Sequence, residues 1–159
     1  MSWSSTVPAA ITALLAAFRA SEALASPVAV RDGPVTTASS ARDVVIVGWE
    51  GDEGDEVAVE ATETMEGAAG TPDREQYSIR CAVISRTGAG KPELAIPGAR
   101  ARACALHAAC GAAIAADRRL GGAVMRAQMG SWSLSQTPDQ YGQKTAITFT
   151  VEIDAFTNR

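Results

Sequence analysis

Histidine, cysteine, lysine and aromatic residues are all scarce in this chain. There is one histidine and there are three cysteines, and aromatics supply 5% of 159 residues. A single histidine excludes most His-based catalytic and metal sites within one chain. An odd number of cysteines with no CxxC pair excludes a disulfide framework and a zinc knuckle, and fits a reducing compartment. Bases do not exceed acids: the formal net charge is −4, which disfavours a general grip on nucleic acid through phosphate neutralisation. No uninterrupted apolar run approaches the roughly 18 residues that a membrane span requires.

What is present is small and apolar. Hydrophobic residues make up 47% of the chain, but 32 of them are alanine. The remainder suffices for one modest core, so a single domain over 1–159 is expected. Met1 to Ser26 has a small-residue ending like that of a signal peptide. It has no leading positive charge, and Arg19 and Glu22 interrupt it, so an amphipathic helix is the better reading.

That first helix runs roughly from Val7 to Leu24. Thr6 stands as its N-cap, Pro8 in its first turn, and Val7, Ile11, Leu14, Leu15 and Phe18 on one face. Val28 to Val30 is a short strand, and Asp32-Gly33-Pro34 a turn. Asp43 to Trp49 is a β-branched run of strand length, buried on both faces. Glu56 to Glu66 alternates imperfectly as an exposed strand, and 67–72 is a hairpin loop. Arg74 to Arg86 is a strand with Tyr77, Ile79, Cys81 and Val83 on one face. Pro97 opens a second helix, from Gly98 to about Leu120, with Ala99, Ala103, Leu106, Cys110, Ala113 and Ile114 inward. Arg118 and Arg119 lie in its last turn, and Gly121-Gly122 stops it. Ala123 to Gln136 and Lys144 to Ala155 are the last strands. In the latter, Ile147, Phe149, Val151 and Ile153 alternate with Thr148, Thr150, Glu152 and Asp154. The order α-β-β-β-β-α-β-β predicts an α+β fold: a mostly antiparallel sheet of about five to six strands with two helices on one face.

Charge is distributed unevenly. The segment 50–72, an acidic loop and hairpin, holds eight acids and no base. Ten acids and fourteen bases remain elsewhere, so the body of the chain is about +4. Glu50 to Glu56 does not match the ligand spacing of a calcium loop, and a solvated loop, or one that meets a basic partner, is the simpler reading. Thr87 to Pro92 imitates a phosphate loop, but Ser85 replaces the required glycine and Pro92 replaces the Ser or Thr that would reach Mg²⁺. It reads as a strand-to-helix loop. His107 reads as a boundary residue of the second helix rather than a base. Cys104 and Cys110 fall on different helix faces, which fits small hydrophobic residues rather than a shared metal or a disulfide. Trp132 is placed at the far end of a long strand among serines, either as an interface anchor or as a packing residue. No catalytic, cofactor or metal residues emerge, and the chain is read as non-enzymatic.

The layout resembles a known family. It opens with a helix beginning Thr6-Val7-Pro8-Ala9-Ala10-Ile11, followed by Val28–Val30 and Asp32-Gly33-Pro34. A strand Val44-Val45-Ile46-Val47-Gly48, an acidic hairpin and Tyr77-Ser78-Ile79-Arg80-Cys81 come next. An Arg/Ala-rich helix ends in Arg118-Arg119-Leu120-Gly121-Gly122-Ala123-Val124, and the final hairpin contains Thr148-Phe149-Thr150-Val151. In layout and texture, over nearly the whole chain, this resembles the tail terminator (tail completion) proteins of long-tailed actinobacterial phages and prophage-like elements.

The resemblance implies a virion assembly protein of the tail and neck, present in the host cytoplasm during assembly. Such a protein is a homo-oligomer, usually a hexameric ring. It caps the tail tube protein, stops its polymerisation and joins it to the head–tail connector protein. DNA passes through the lumen without sequence-specific binding, and no membrane or cofactor is involved. The candidate interface residues are then Glu60, Glu63 and Glu66, lining the lumen or pairing with Arg100 and Arg102 of a neighbour, together with Trp132. The alternatives are another neck or tail subunit, connector or tube-like, and a small ligand-binding regulatory module.

Overall fold

The computed structural model describes residues 4–33, 41–51, 56–64, 72–87, 92–139 and 142–157. Two α-helices, α1 (Val7–Ala20) and α2 (Pro92–Ala116), accompany six strands. The strands are β1 (Ala29–Asp32), β2 (Asp43–Val47), β3 (Val59–Thr64), β4 (Arg74–Thr87), β5 (Arg126–Asp139) and β6 (Gly142–Phe156). The fold is α+β, as the alternation of patterns predicts.

β4 and β6 form the spine of the sheet. They pair antiparallel from Arg74↔Phe156 to Thr87↔Gln143. β5 flanks β6 antiparallel, and β1 runs parallel to β2 at the other side. β2 and β3 do not pair with each other. Both lie against the same side of β4, β2 beside Cys81–Ser85 and β3 beside Arg74–Ile79. They are successive pieces of one interrupted strand, and Arg80 holds the break. Its carbonyl accepts from the backbone N–H groups of Gly48 (2.9 Å) and Trp49 (2.8 Å), and its own N–H donates to the Ala58 carbonyl (2.8 Å). The Arg80 side chain then meets Glu56 at 2.7 Å, tying down the returning chain. Gly48 makes the exit from β2 with φ +77°, a conformation that favours glycine. This is why the strand stops at Val47 rather than at Trp49.

Both helices cover one face of the sheet. Leu14 and Phe18 of α1, and Ala103, Leu106, Cys110 and Ile114 of α2, pack on Val45, Val47, Tyr77, Ile79, Cys81, Val83, Ile147, Phe149, Val151 and Ile153. A second, smaller cluster lies on the opposite face, where Val44, Ile46, Ala82 and Ile84 are buried against Ala29, Ala41, Trp49 and Ala146. β2 is therefore buried on both faces, as its uninterrupted β-branched run predicts.

Four local expectations are corrected. Helix α2 starts at Pro92, not Gly98, so Pro97 stands inside it. It ends at Ala116, so Arg118 and Arg119 leave the last turn. The Asp117 carboxylate accepts from the N–H groups of Arg119 (3.1 Å) and Gly121 (2.6 Å) and turns the chain. Thr6 does not cap α1 with its side chain. Its hydroxyl is turned to the sheet, where it meets Glu75. Finally, Trp132 is not at a strand end. It stands mid-strand beside a bulge between Met129 and Trp132, paired with Phe149. Trp3 and the loop readings at 67–71 and 88–91 lie outside the described residues. Among the described residues, no helix is long and apolar enough to cross a membrane.

Candidate subunit interface

Strand alternation separates the acidic residues that the sequence groups together. Glu60 lies opposite Ser78, on the face away from the helices, whereas Glu63 lies opposite Glu75, on the helix-bearing face. Residues three apart on a strand cannot share a face. Both glutamates are exposed, and Glu66 lies outside the described residues. Glu60 borders a shallow polar groove of about 550 Å³ with Gln76, Ser78, Arg126, Gln128 and Glu152. Within this groove, Glu152 accepts from Ser78 Oγ at 2.7 Å, and Asp154 is bound in a fork by Arg74 at 3.0 and 2.6 Å. That hydrogen bonding holds the Asp154 carboxyl below the usual carboxylate range.

The two candidate arginines of α2 are already engaged. Arg102 Nε donates to Asp43 Oδ2 at 2.8 Å, and the other oxygen of Asp43 accepts from Ser85 Oγ at 2.8 Å. Asp43 is buried, so this pair anchors α2 to the start of β2. Arg100 Nε donates to Gln136 Oε1 at 2.9 Å, linking α2 to β5. The geometry gives both residues partners within their own chain.

Trp132 is 56% exposed although it points to the helix-bearing side. It lies on the ring of His107, with centroids 5.4 Å apart, and His107 in turn meets the edge of Phe149 at 5.1 Å. Burial lowers the His107 pKa and keeps the ring neutral at pH 7; its Nε2 has no hydrogen-bond partner among the described residues. His107 is thus a boundary residue of α2, as its position in the helix predicts. Cys81 and Cys110 are buried, and burial pushes the Cys110 thiol up to about 12 and the Cys81 thiol up as well. Neither is a thiolate at neutral pH. Cys104 is exposed on another face of the helix.

Sequence reasoning missed two features. The first is Glu75, which is 1% exposed. Its carboxylate accepts from the Thr6 backbone N–H (2.9 Å), from Thr6 Oγ1 (2.7 Å) and from Ser5 Oγ. It is an acid supplied by the sheet to the N-terminus of α1, where the helix dipole favours negative charge. The signal was its place in phase with Tyr77 and Ile79. Burial pushes the Tyr77 hydroxyl, which shares a 2.9 Å hydrogen bond with Thr6, up to about 12.

The second is the corner after α2. The Arg118 carbonyl accepts from Ala127 N–H at 2.6 Å, and the Arg119 carbonyl accepts from Gly122 N–H at 2.9 Å. Leu120 and Val124 bury themselves beneath the corner. Gly121 and Gly122, at φ +68° and +90°, allow the tight reversal. The backbone of two consecutive arginines is fixed while both side chains stay exposed.

These elements define a class of protein by fold: an α+β domain whose mostly antiparallel sheet carries both helices on one face and a smaller buried cluster on the other. No family model and no curated protein matches the chain. Among solved structures it is similar to a chain of the virion of a native gene transfer agent particle. That chain is 12% identical, the match covers 93% of this chain and 94% of the other, and the TM-score is 0.48.

Proposed function

We propose that this chain is a non-enzymatic virion assembly subunit of the tail-terminator kind. Subunits close into a ring, hexameric in the reading that the sequence layout supports. The ring caps the tail tube, stops its growth and offers its other side to the head connector, while DNA passes through the lumen. The observation that carries the reading is the division of the domain into unlike surfaces. An acidic, polar sheet edge at β3 stands at one side and an arginine corner beyond β5 at the other. A ring is built from heterologous contacts, in which one face of a subunit meets a different face of the next, and this domain has such a pair. The layout of motifs along nearly the whole chain supports the same reading.

The test combines electron microscopy of the purified protein, a mass measurement, and addition to growing tail tubes. Closed rings and tubes of arrested length are expected. Indefinite cylinders would instead identify a tube-like subunit. A monomer that leaves tube growth unchanged would overturn the reading altogether.

A further inference from the structure

The arrangement of the sheet extends that reading, on which this inference rests, to a particular contact. Thr62, Gln76, Asp154 and Arg126 stand side by side across β3, β4, β6 and β5, and Glu60, Ser78, Glu152 and Gln128 form the next row. The four strands alternate in direction and span about 14 Å at the usual strand spacing. β3 is one end of these rows, pairing with β4 alone among the described residues. Its exposed residues include Glu60 and Glu63 and no base. The other end is β5, whose first N–H groups are not bare: Ala127 is bonded to the carbonyl of Arg118. At that end the domain presents the Arg118–Arg119 corner instead of free backbone. The acidic edge and the basic corner therefore lie at the same level of the sheet, at opposite edges.

We infer that β3 of one copy docks against the Arg118–Arg119 corner of a second copy. A second copy set beside the first in the same orientation continues the alternation of strand direction, bringing β3 beside the end of β5. It also brings Glu60 and Glu63 toward two arginines whose main chain is already immobilised, so the contact orders only their side chains. Arg100 and Arg102 are not assigned to this contact: Arg102 is committed to the buried Asp43, and Arg100 bonds Gln136 within its own chain. The contact is heterologous, since edge meets corner rather than edge meeting edge.

Four variants of the full chain test this by sedimentation velocity up to about millimolar concentration. Glu60→Arg/Glu63→Arg and Arg118→Glu/Arg119→Glu should each weaken self-association about tenfold, and raising salt should weaken that of the wild type. Combining all four substitutions in one chain restores opposite charges and should restore association. Arg100→Glu, which reverses a charge away from the contact, should leave it unchanged. A wild-type chain that stays monomeric at every concentration overturns the inference. So do rings that form equally well in both reversed variants, although the ring reading would then survive. Charge-swappable assembly into open filaments supports the contact and sinks the terminator reading instead.

Discussion

Replacing Glu75 should destabilise the domain far more than replacing any other glutamate on β3 or β4. Its carboxylate receives two hydrogen bonds from Thr6, at 2.9 and 2.7 Å, and a third from Ser5. A hydrogen bond to a charged group contributes about 1.5–3 kcal/mol, and an unsatisfied buried donor costs about 1–3 kcal/mol. The favourable placement at a helix N-terminus adds about 0.3–1 kcal/mol. Glu75→Ala removes the acceptor from all three donors. Ser5 can turn to water, so two bonds set the scale, and the expected loss is about 3–5 kcal/mol. Glu75→Gln keeps one acceptor oxygen but turns an NH₂ group toward a donor, and should lose about 2 kcal/mol. Urea unfolding at constant m-value measures both. Thr6→Val removes the hydroxyl and spares the backbone N–H, so the Thr6/Glu75 pair in a double-mutant cycle should show coupling of at least about 1 kcal/mol. A Glu75→Ala loss below about 1 kcal/mol, with no coupling to Thr6, would refute the assignment of Glu75 as the anchor of α1.

Other perturbations separate neighbouring roles. A Cβ at residue 130 would stand 2.3 Å from Thr150 Oγ1 and 2.7 Å from Glu152 Oε1, so Gly130→Ala should cost about 1–3 kcal/mol in thermal or urea unfolding, and Thr150→Ala should recover part of it. Arg102→Ala strands the buried Asp43 carboxylate and should cost about 1–3 kcal/mol, whereas Arg100→Ala, which loses an exposed bond to Gln136, should cost under about 0.5 kcal/mol by the same assay. His107 is held below its ordinary pKa by burial, so the unfolded chain takes up a proton first as pH falls. Stability should therefore decline from about pH 6.5 downward to the folded-state pKa, and His107→Phe should remove that slope from urea midpoints read between pH 7.5 and 5.5. Trp132→Ala should weaken self-association about tenfold or more while changing monomer stability by under about 1 kcal/mol; unchanged association would make Trp132 only a cover for His107.

The elements were legible because their periodicities are strong. β6 alternates from Thr145 to Ala155 without error, and the run at β2 has no polar residue between Asp43 and Gly48, so both faces had to be buried. The site was less legible because it depends on what two strands do together. Glu60 and Glu63 look alike in sequence, yet the period of two sends them to opposite faces of the sheet. Glu75 looks like a solvated strand end until α1 is laid over it. Arg102 looks as free as Arg118 until Asp43, 59 residues away, is brought within 2.8 Å. Asp117 decides the fate of Arg118 and Arg119 through a local turn, and the pattern of apolar residues in α2 carries no sign of it. Trp132 looks like a strand tip until β5 is seen to pair with β6 as far as Asp139, which places it in the middle of the strand.

The interruption between β2 and β3 ties these observations to assembly. The first part of this interrupted strand, β2, is covered at its outer side by β1, which pairs with it from Val44 to Val47. Breaking the strand at Gly48 and resuming it after Val57 leaves β3 without an outer neighbour among the described residues, and acidic. Unpaired sheet edges invite promiscuous pairing, and charged residues are the usual protection against it. Here the same charges can also select a partner, since a like copy of β3 is repelled while the arginine corner is attracted. On this reasoning Arg80, which holds the break through its backbone and the returning chain through Glu56, sets the interface without touching the neighbour. Arg80→Ala should loosen residues 56–58 in hydrogen exchange and weaken self-association, while the exchange of core amides in β6 stays unchanged. Equal loss of protection in β3 and β6 would show instead that Arg80 supports the domain as a whole.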